Sequence, residues 1–119
     1  MKKKKSLSYL RSYRLRWGLS QRDLSYLLGW KSEGVISRLE KKQRPPSAHV
    51  LVACYVIFGT PTADLFPGLF RGVEADVMTR VWELYERIQG SPSHRTKAKI
   101  ELLEDAIERA RQRKRASRP

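Results

Sequence analysis

The sequence predicts an all-α fold, five short helices followed by two C-terminal ones, and three observations carry that prediction. Apolar residues recur at spacings of three and four, the period of one helix face, in one stretch after another. Glycine, proline and capping hydroxyls punctuate these stretches. No segment sustains the alternation of β-branched and polar residues that a half-buried strand needs.

In the first stretch, residues 6–17, Leu7, Leu10, Leu15 and Trp17 mark an apolar face with Tyr9 and Tyr13 between them, and Gly18 follows as a stop. Ser20 is a capping hydroxyl with Asp23 three residues on, a shorter form of the capping-box acid that also suits the positive end of a helix. The second helix, 21–28, is expected to bury Leu24, Leu27 and Leu28, and Gly29 closes it. Trp30 and Lys31 lead to Ser32, the next N-cap candidate, and a third helix over 33–41 directs Val35, Ile36 and Leu39 to the core. Gly34 in its first turn costs about 1 kcal/mol relative to Ala, which calls for a packing or functional reason.

The run Gln43-Arg44-Pro45-Pro46 is a loop, because Pro46 forces Pro45 out of helical space and neither proline donates a backbone hydrogen bond. Ser47 caps a fourth helix, 48–58, whose apolar content predicts burial nearly all round; Gly59 ends it. Thr60-Pro61 opens a single turn through Phe66, and Pro67-Gly68 terminates that turn. Val73, Val77, Val81, Leu84 and Ile88 then share one face, with Trp82 and Tyr85 beside them. After the break Gly90-Ser91-Pro92-Ser93, the residues Ile100, Leu103, Ile107 and Ala110 share another. Residues 111–119 are basic, lack an apolar period and are expected to be disordered.

Composition narrows the class of function. The 119 residues hold 25 Lys and Arg against 12 Asp and Glu, a net charge of +13, with 40% hydrophobic residues, enough for one compact core. No apolar run approaches the roughly 18 residues that span a membrane. The lysines at 2–5 resemble the charged start of a signal peptide, but three arginines within 6–16 stand where its apolar segment would lie, so a cytoplasmic protein is expected. The single cysteine, Cys54, excludes an intramolecular disulfide and a cysteine-based zinc site. The charge is also unevenly placed: residues 1–20 hold seven basic and no acidic residues, 21–50 six against three, 51–90 three against five, and 91–119 nine against four. Basic segments bracket a near-neutral middle, which predicts a folded unit with basic arms that bind a polyanion; the alternative is two solvated tails without a specific partner.

Between Gln21 and Glu40 lie two short helices joined through Gly29, the sequence form of a helix-turn-helix. The second helix crosses close above position five of the first, which must be small and is Ser25. The turn needs a residue tolerant of positive φ, which Gly29 supplies, and Leu24, Leu28, Ile36 and Leu39 must be apolar to fix the helix angle.

On these residues the chain resembles the Cro and phage-repressor type of helix-turn-helix domain, the XRE family, over residues 7–66. The matching run is Leu7-x-x-Leu10, Trp17-Gly18-Leu19-Ser20-Gln21-x-x-Leu24, Leu27-x-Gly29, Ile36-Ser37-Arg38-Leu39-Glu40, Arg44-Pro45-Pro46-Ser47 and Phe58-Gly59-Thr60-Pro61-x-x-x-Leu65-Phe66. The chain departs from the family in one place: Gly29 to Glu40 is one residue longer than the common spacing, which leaves open by one position which side chains meet base edges.

The resemblance implies a five-helix DNA-binding domain with 33–41 as recognition helix. Gln21 would bond a phosphate or hand a hydrogen bond across to that helix. Ser32, Glu33, Gly34, Ser37 and Arg38 would face the groove, with Gly34 letting the backbone approach the DNA. Arg38 can donate two parallel bonds to guanine O6 and N7, worth about 1–3 kcal/mol of base discrimination. Glu33 would accept from cytosine N4 or serve as a helix-start charge favourable to the dipole. Lys31, Lys41, Lys42 and Arg44 flank the helix in loops where they reach phosphates, and the arm 1–6 lies along the backbone or in the minor groove. The resemblance further implies a buried ion pair between Arg14 and Glu40 that orients the recognition helix, with a phosphate contact as the competing use of Arg14.

Other residues have plainer expectations. Cys54 is a small core residue, Trp17 and Trp30 are core anchors, and Glu101, Glu104, Asp105 and Glu108 form a solvated helix face. His49 and His94 lie far apart without partnering ligands, so no metal is expected; no nucleophile-base grouping and no phosphate-binding glycine loop occurs, so neither cofactor nor enzymatic activity is expected. The domains expected are the basic arm 1–6, the DNA-binding domain 7–68, a helical extension 69–110 for dimerisation or partner binding, and the basic tail 111–119. The function expected is a prokaryotic, nucleoid-associated, sequence-specific regulator of transcription, a homodimeric repressor or autoregulator on a palindromic operator. An antitoxin whose C-terminal helices bind a partner protein, and a non-specific nucleoid binder, are the alternatives.

Overall fold

The computed structural model describes residues 8–90 and 93–116, apart from the side chains of residues 94 and 95. The basic arm 1–6, Leu7 of the expected first helix, Ser91 and Pro92 of the expected break, and the last residues of the tail, 117–119, lie outside the described residues. Seven helices and no strand occur among the described residues: α1 Leu10–Arg16, α2 Gln21–Leu27, α3 Gly34–Glu40, α4 Ala48–Phe58, α5 Thr62–Leu65, α6 Pro67–Arg87 and α7 His94–Ala116. None of them is long and apolar enough to cross a membrane. The chain divides into two compact units, residues 1–72 and 73–119, and the division lies within α6.

The first unit is closed by residues from all of its short helices. Leu10, Leu24, Leu28, Ile36, Leu39, Val50, Cys54, Leu65 and Phe66 form one buried cluster, and Tyr13, Trp30, Val35, Ile57 and Phe58 pack around it. Tyr13 meets Phe58 edge to face at 6.0 Å, and the Tyr9 amide donates to the Leu65 carbonyl, which ties the start of α1 to the end of α5. Burial pushes the Cys54 thiol up to about 11, so it remains protonated and behaves as a small apolar filler. His49 Nε2 donates to the Leu28 carbonyl at 2.9 Å, and Trp30 stacks obliquely on its ring.

Several local expectations need correction. Trp17, expected as a core anchor, is 67% exposed, because α1 ends at Arg16 and the chain turns away at Gly18. Leu15 and Leu27 also face outward. The fourth helix is not buried all round: Val50 and Cys54 are, whereas Val52, Tyr55 and Val56 are 59–76% exposed, since a helix packed on one side only leaves its far face in water whatever its composition. Pro67 stops α5 but also opens α6, where its missing N–H belongs to a group that lacks an intrahelical partner anyway. Residues 111–116, expected to be disordered, continue α7 to Ala116, with Arg113, Lys114 and Arg115 in its last turn beside the negative end of the helix dipole.

The second unit is an antiparallel helical hairpin of α6 and α7. Two cross-links fix the direction: Tyr85 Oη donates to Glu104 at 2.9 Å, and Arg113 Nε donates to Glu74 at 2.6 Å. The Glu104 carboxylate raises the Tyr85 phenol above its ordinary value, because the bond it accepts requires the proton to stay. Leu103 and Ile107 are the buried residues of this unit, whereas Val73, Val77, Trp82 and Leu102 remain exposed.

Candidate nucleic-acid interface

The site is built on α2 and α3, and its geometry begins at their caps. Ser20 Oγ accepts from the Asp23 amide at 2.9 Å and the Asp23 carboxylate accepts from the Ser20 amide at 2.9 Å, a complete capping box in which aspartate does the work of the longer acid. The Ser20 amide first, and the Ser20 hydroxyl second, hold the Asp23 carboxyl below its ordinary range. At the other end Gly29 takes φ +86, a left-handed conformation that bulkier residues reach only with strain.

The connection to α3 folds around Ser25. Its side chain is buried, and its hydroxyl donates to the Ser32 carbonyl at 2.5 Å. A small residue therefore does two things at the crossing: it leaves room for α3 and satisfies a carbonyl in the longer turn. Ser32, expected as N-cap, stands one position too early: Glu33 is the N-cap and makes no side-chain cap bond, while Ser32 Oγ accepts from the Gly34 amide at 3.1 Å across the turn.

Ile36 and Leu39 face the core and hold α3 from beneath. Its end is held by a buried polar network. Arg14 Nε donates to Glu40 Oε2 at 2.6 Å, Nη2 to Oε1 at 3.1 Å, and Nη1 to the Leu19 carbonyl at 2.8 Å. Gln21 Nε2 donates to Glu40 Oε1 at 3.1 Å. The Arg14 and Glu40 side chains are 8% and 3% exposed. Arg14 is thus placed in the ion pair and its guanidinium turned away from solvent. Of the two uses open to Gln21, the structure shows the bond across to the end of α3.

The remaining expected residues lie on the open side. Lys31, Ser32, Glu33, Arg38, Lys41, Lys42 and Arg44 are exposed, while Gly34 and Ser37 are half-buried on the same helix. Among the described residues none of the cations Lys31, Arg38, Lys41, Lys42 and Arg44 takes part in an ion pair. The charge around α3 is therefore available to an external anion, whereas Arg14 is not. Lys42 holds a feature that sequence patterning missed: φ +62 makes it the one non-glycine residue with positive φ among the described residues. No glycine or asparagine marks that turn, so the usual signal for a left-handed helix end is absent. The interhelical bonds of the second unit were missed too, since residues 19 and 39 positions apart carry no local signature. Among the described residues no three His, Cys, Asp or Glu side chains cluster to hold a metal ion.

A family model described as a helix-turn-helix domain matches residues 8–66, from just before α1 to the end of α5. No curated protein and no solved structure matches the chain.

Proposed function

From the premise that residues 8–66 are a DNA-binding helix-turn-helix domain of the XRE/Cro-like clan, we propose that this protein is a sequence-specific, double-stranded DNA-binding regulator of transcription. It acts as a dimeric repressor or autoregulator that inserts α3 into the major groove. The observation that carries this is the two-sided character of α3. Its inner side is locked by Ile36, Leu39 and the Arg14–Glu40–Gln21 network, while its outer side offers Ser37 and Arg38 flanked by cations without acidic partners. A rigid support with an open, donor-rich face is what base readout needs: cations position the helix on the phosphates, and a guanidinium discriminates among base edges. Arg14, Glu40 and Gln21 support this surface from within.

In this reading Arg38 reads bases and Lys31, Lys41, Lys42 and Arg44 hold phosphates, while Ser32, Glu33, Gly34 and Ser37 line the groove-facing side. The exposed Val73, Val77, Trp82 and Leu102 of the hairpin favour pairing of two copies, which presents two recognition helices to half-sites about 34–36 Å apart on a palindrome. The same apolar residues support the antitoxin alternative, in which a protein encoded beside this one binds the hairpin. Such a regulator works in the cytoplasm of a prokaryote, on the nucleoid.

Selection of bound duplexes from a random library, followed by fluorescence-anisotropy titration, tests the proposal. The expected result is a selected duplex bound at least about 1,000-fold more tightly than random DNA, with Arg38→Ala losing preference at particular base pairs. Equal affinity for selected and random duplexes assigns the protein to non-specific nucleoid binding instead. Sedimentation of the free protein, and co-purification with the neighbour-encoded protein, separate the homodimer from the antitoxin.

A further inference from the structure

Both ends of α3 carry a residue that local backbone propensity alone would not place there. Gly34 is the first residue of the helix and its φ lies outside the left-handed region, so the backbone does not require glycine, which is a poor helix former. The space above its Cα is in use. A Cβ built there would lie 3.3 Å from Arg38 Nη1, 3.3 Å from Ser32 Oγ and 3.8 Å from Arg38 Nη2. The Arg38 guanidinium therefore folds back one turn and lies over Gly34, following the general lean of helical side chains toward the N-terminus.

At the other end the inverse holds. Lys42 has φ +62, with its amide donating to the Leu39 carbonyl at 3.1 Å and the Gln43 amide to the Arg38 carbonyl at 2.9 Å. Every other positive-φ residue among the described ones is a glycine, at positions 18, 29, 59 and 90. A side chain in this conformation crowds its own carbonyl, a cost that glycine does not carry. Lys42 is exposed and has no ion-pair partner among the described residues.

We infer that Gly34 and Lys42 are positioning residues of the DNA-contacting surface, kept where helix propensity favours alanine and the left-handed backbone favours glycine. Gly34 leaves the slot in which the Arg38 guanidinium lies level with the first turn of α3, the part of a recognition helix that meets base edges. Lys42, aimed by its left-handed backbone, anchors a phosphate beyond the C-terminal end. The inference rests on the proposed entry of α3 into the major groove, and it removes the one-position ambiguity left by the longer turn: Arg38 reads bases at the level of Gly34.

The test uses the full chain carrying Gly34→Ala or Lys42→Gly, thermal melts, and anisotropy titrations on the selected and a random duplex across about 50 to 200 mM salt. Lys42→Gly is expected to melt higher, by roughly 2–5 °C. Gly34→Ala should reduce the ratio of selected to random affinity by roughly fivefold, the low end of one base contact, with the salt slope unchanged. Lys42→Gly should weaken both duplexes alike, by about eightfold at 0.1 M salt, and flatten the salt slope by about one. A variant whose ratio and slope are both unchanged, or a Lys42→Gly that melts no higher than wild type, overturns the role given to that residue. If wild type itself shows no preference for any selected duplex, the regulator reading fails and this inference with it; if wild type prefers a duplex and the variants match it, this inference alone fails.

Discussion

Arg14 with Glu40 in the first unit and Arg113 with Glu74 in the second make the same contact, Nε to Oε2 at 2.6 Å, in opposite surroundings. The first pair is 8% and 3% exposed, the second 42% and 27%. In the first unit the carboxylate also accepts from Gln21, and the guanidinium also donates to the Leu19 carbonyl, so the charges are enclosed and fully bonded. In the second unit water reaches both partners and screens them. Contact length therefore says little about what a pair does for the protein. Burial decides, because an enclosed charge that loses its partner has no water to replace it.

That contrast can be broken by experiment. Glu40→Ala should destabilise the protein by about 3–5 kcal/mol in urea denaturation, since it strands the buried Arg14 guanidinium. Glu74→Ala should cost no more than about 1 kcal/mol by the same measurement. Comparable losses for the two variants would show that burial is not what separates the pairs.

A second substitution sharpens the contrast at the α2–α3 crossing. Ser25→Val puts a branched side chain into a site 2% exposed and removes the hydroxyl that bonds the Ser32 carbonyl. A loss of about 1–3 kcal/mol is expected in thermal melts, with DNA affinity falling in step as α3 shifts. Glu101→Ala on the hairpin surface, by contrast, should stay within about 0.5 kcal/mol. An unchanged melt for Ser25→Val would mean that α3 does not cross where the structure places it.

The smallest effect belongs to the capping box. Asp23 has its carboxyl held low by the Ser20 amide and hydroxyl, so its contribution is present above the ordinary carboxylate range and is lost as pH falls through the depressed value. Wild type should therefore melt slightly higher than Asp23→Ala near neutral pH, with the gap closing below about pH 4. A gap that stays constant down to acid pH would remove the ionised carboxylate from the account.

Which parts were legible in advance follows the range of the interactions. The N-caps Ser20 and Ser47, the stops at Gly18, Gly29 and Gly59, and the loop at Pro45 and Pro46 act within a few residues, and the structure has helix ends where these signals stand. Outward faces were harder. Trp17, Leu27 and the Val52, Tyr55, Val56 side of α4 are as apolar as core residues, and only the placement of neighbouring helices leaves them in water. For the candidate site, spacing and resemblance named a residue set around α3 and both uses of Gln21, but not the choice between those uses, the slot over Gly34 or the left-handed Lys42.

By itself, then, the sequence determined the helices, their caps, the helix-turn-helix spacing and the excess of positive charge, because periodicity, capping and charge are properties of neighbouring residues. Tertiary structure alone decided which cations are consumed and which stay open. Arg14 and Arg38 are the same side chain in one basic stretch of chain. Packing encloses the first against Glu40 and leaves the second over Gly34 on an exposed face, because desolvation depends on what surrounds a charge in space and not on what precedes it in the chain.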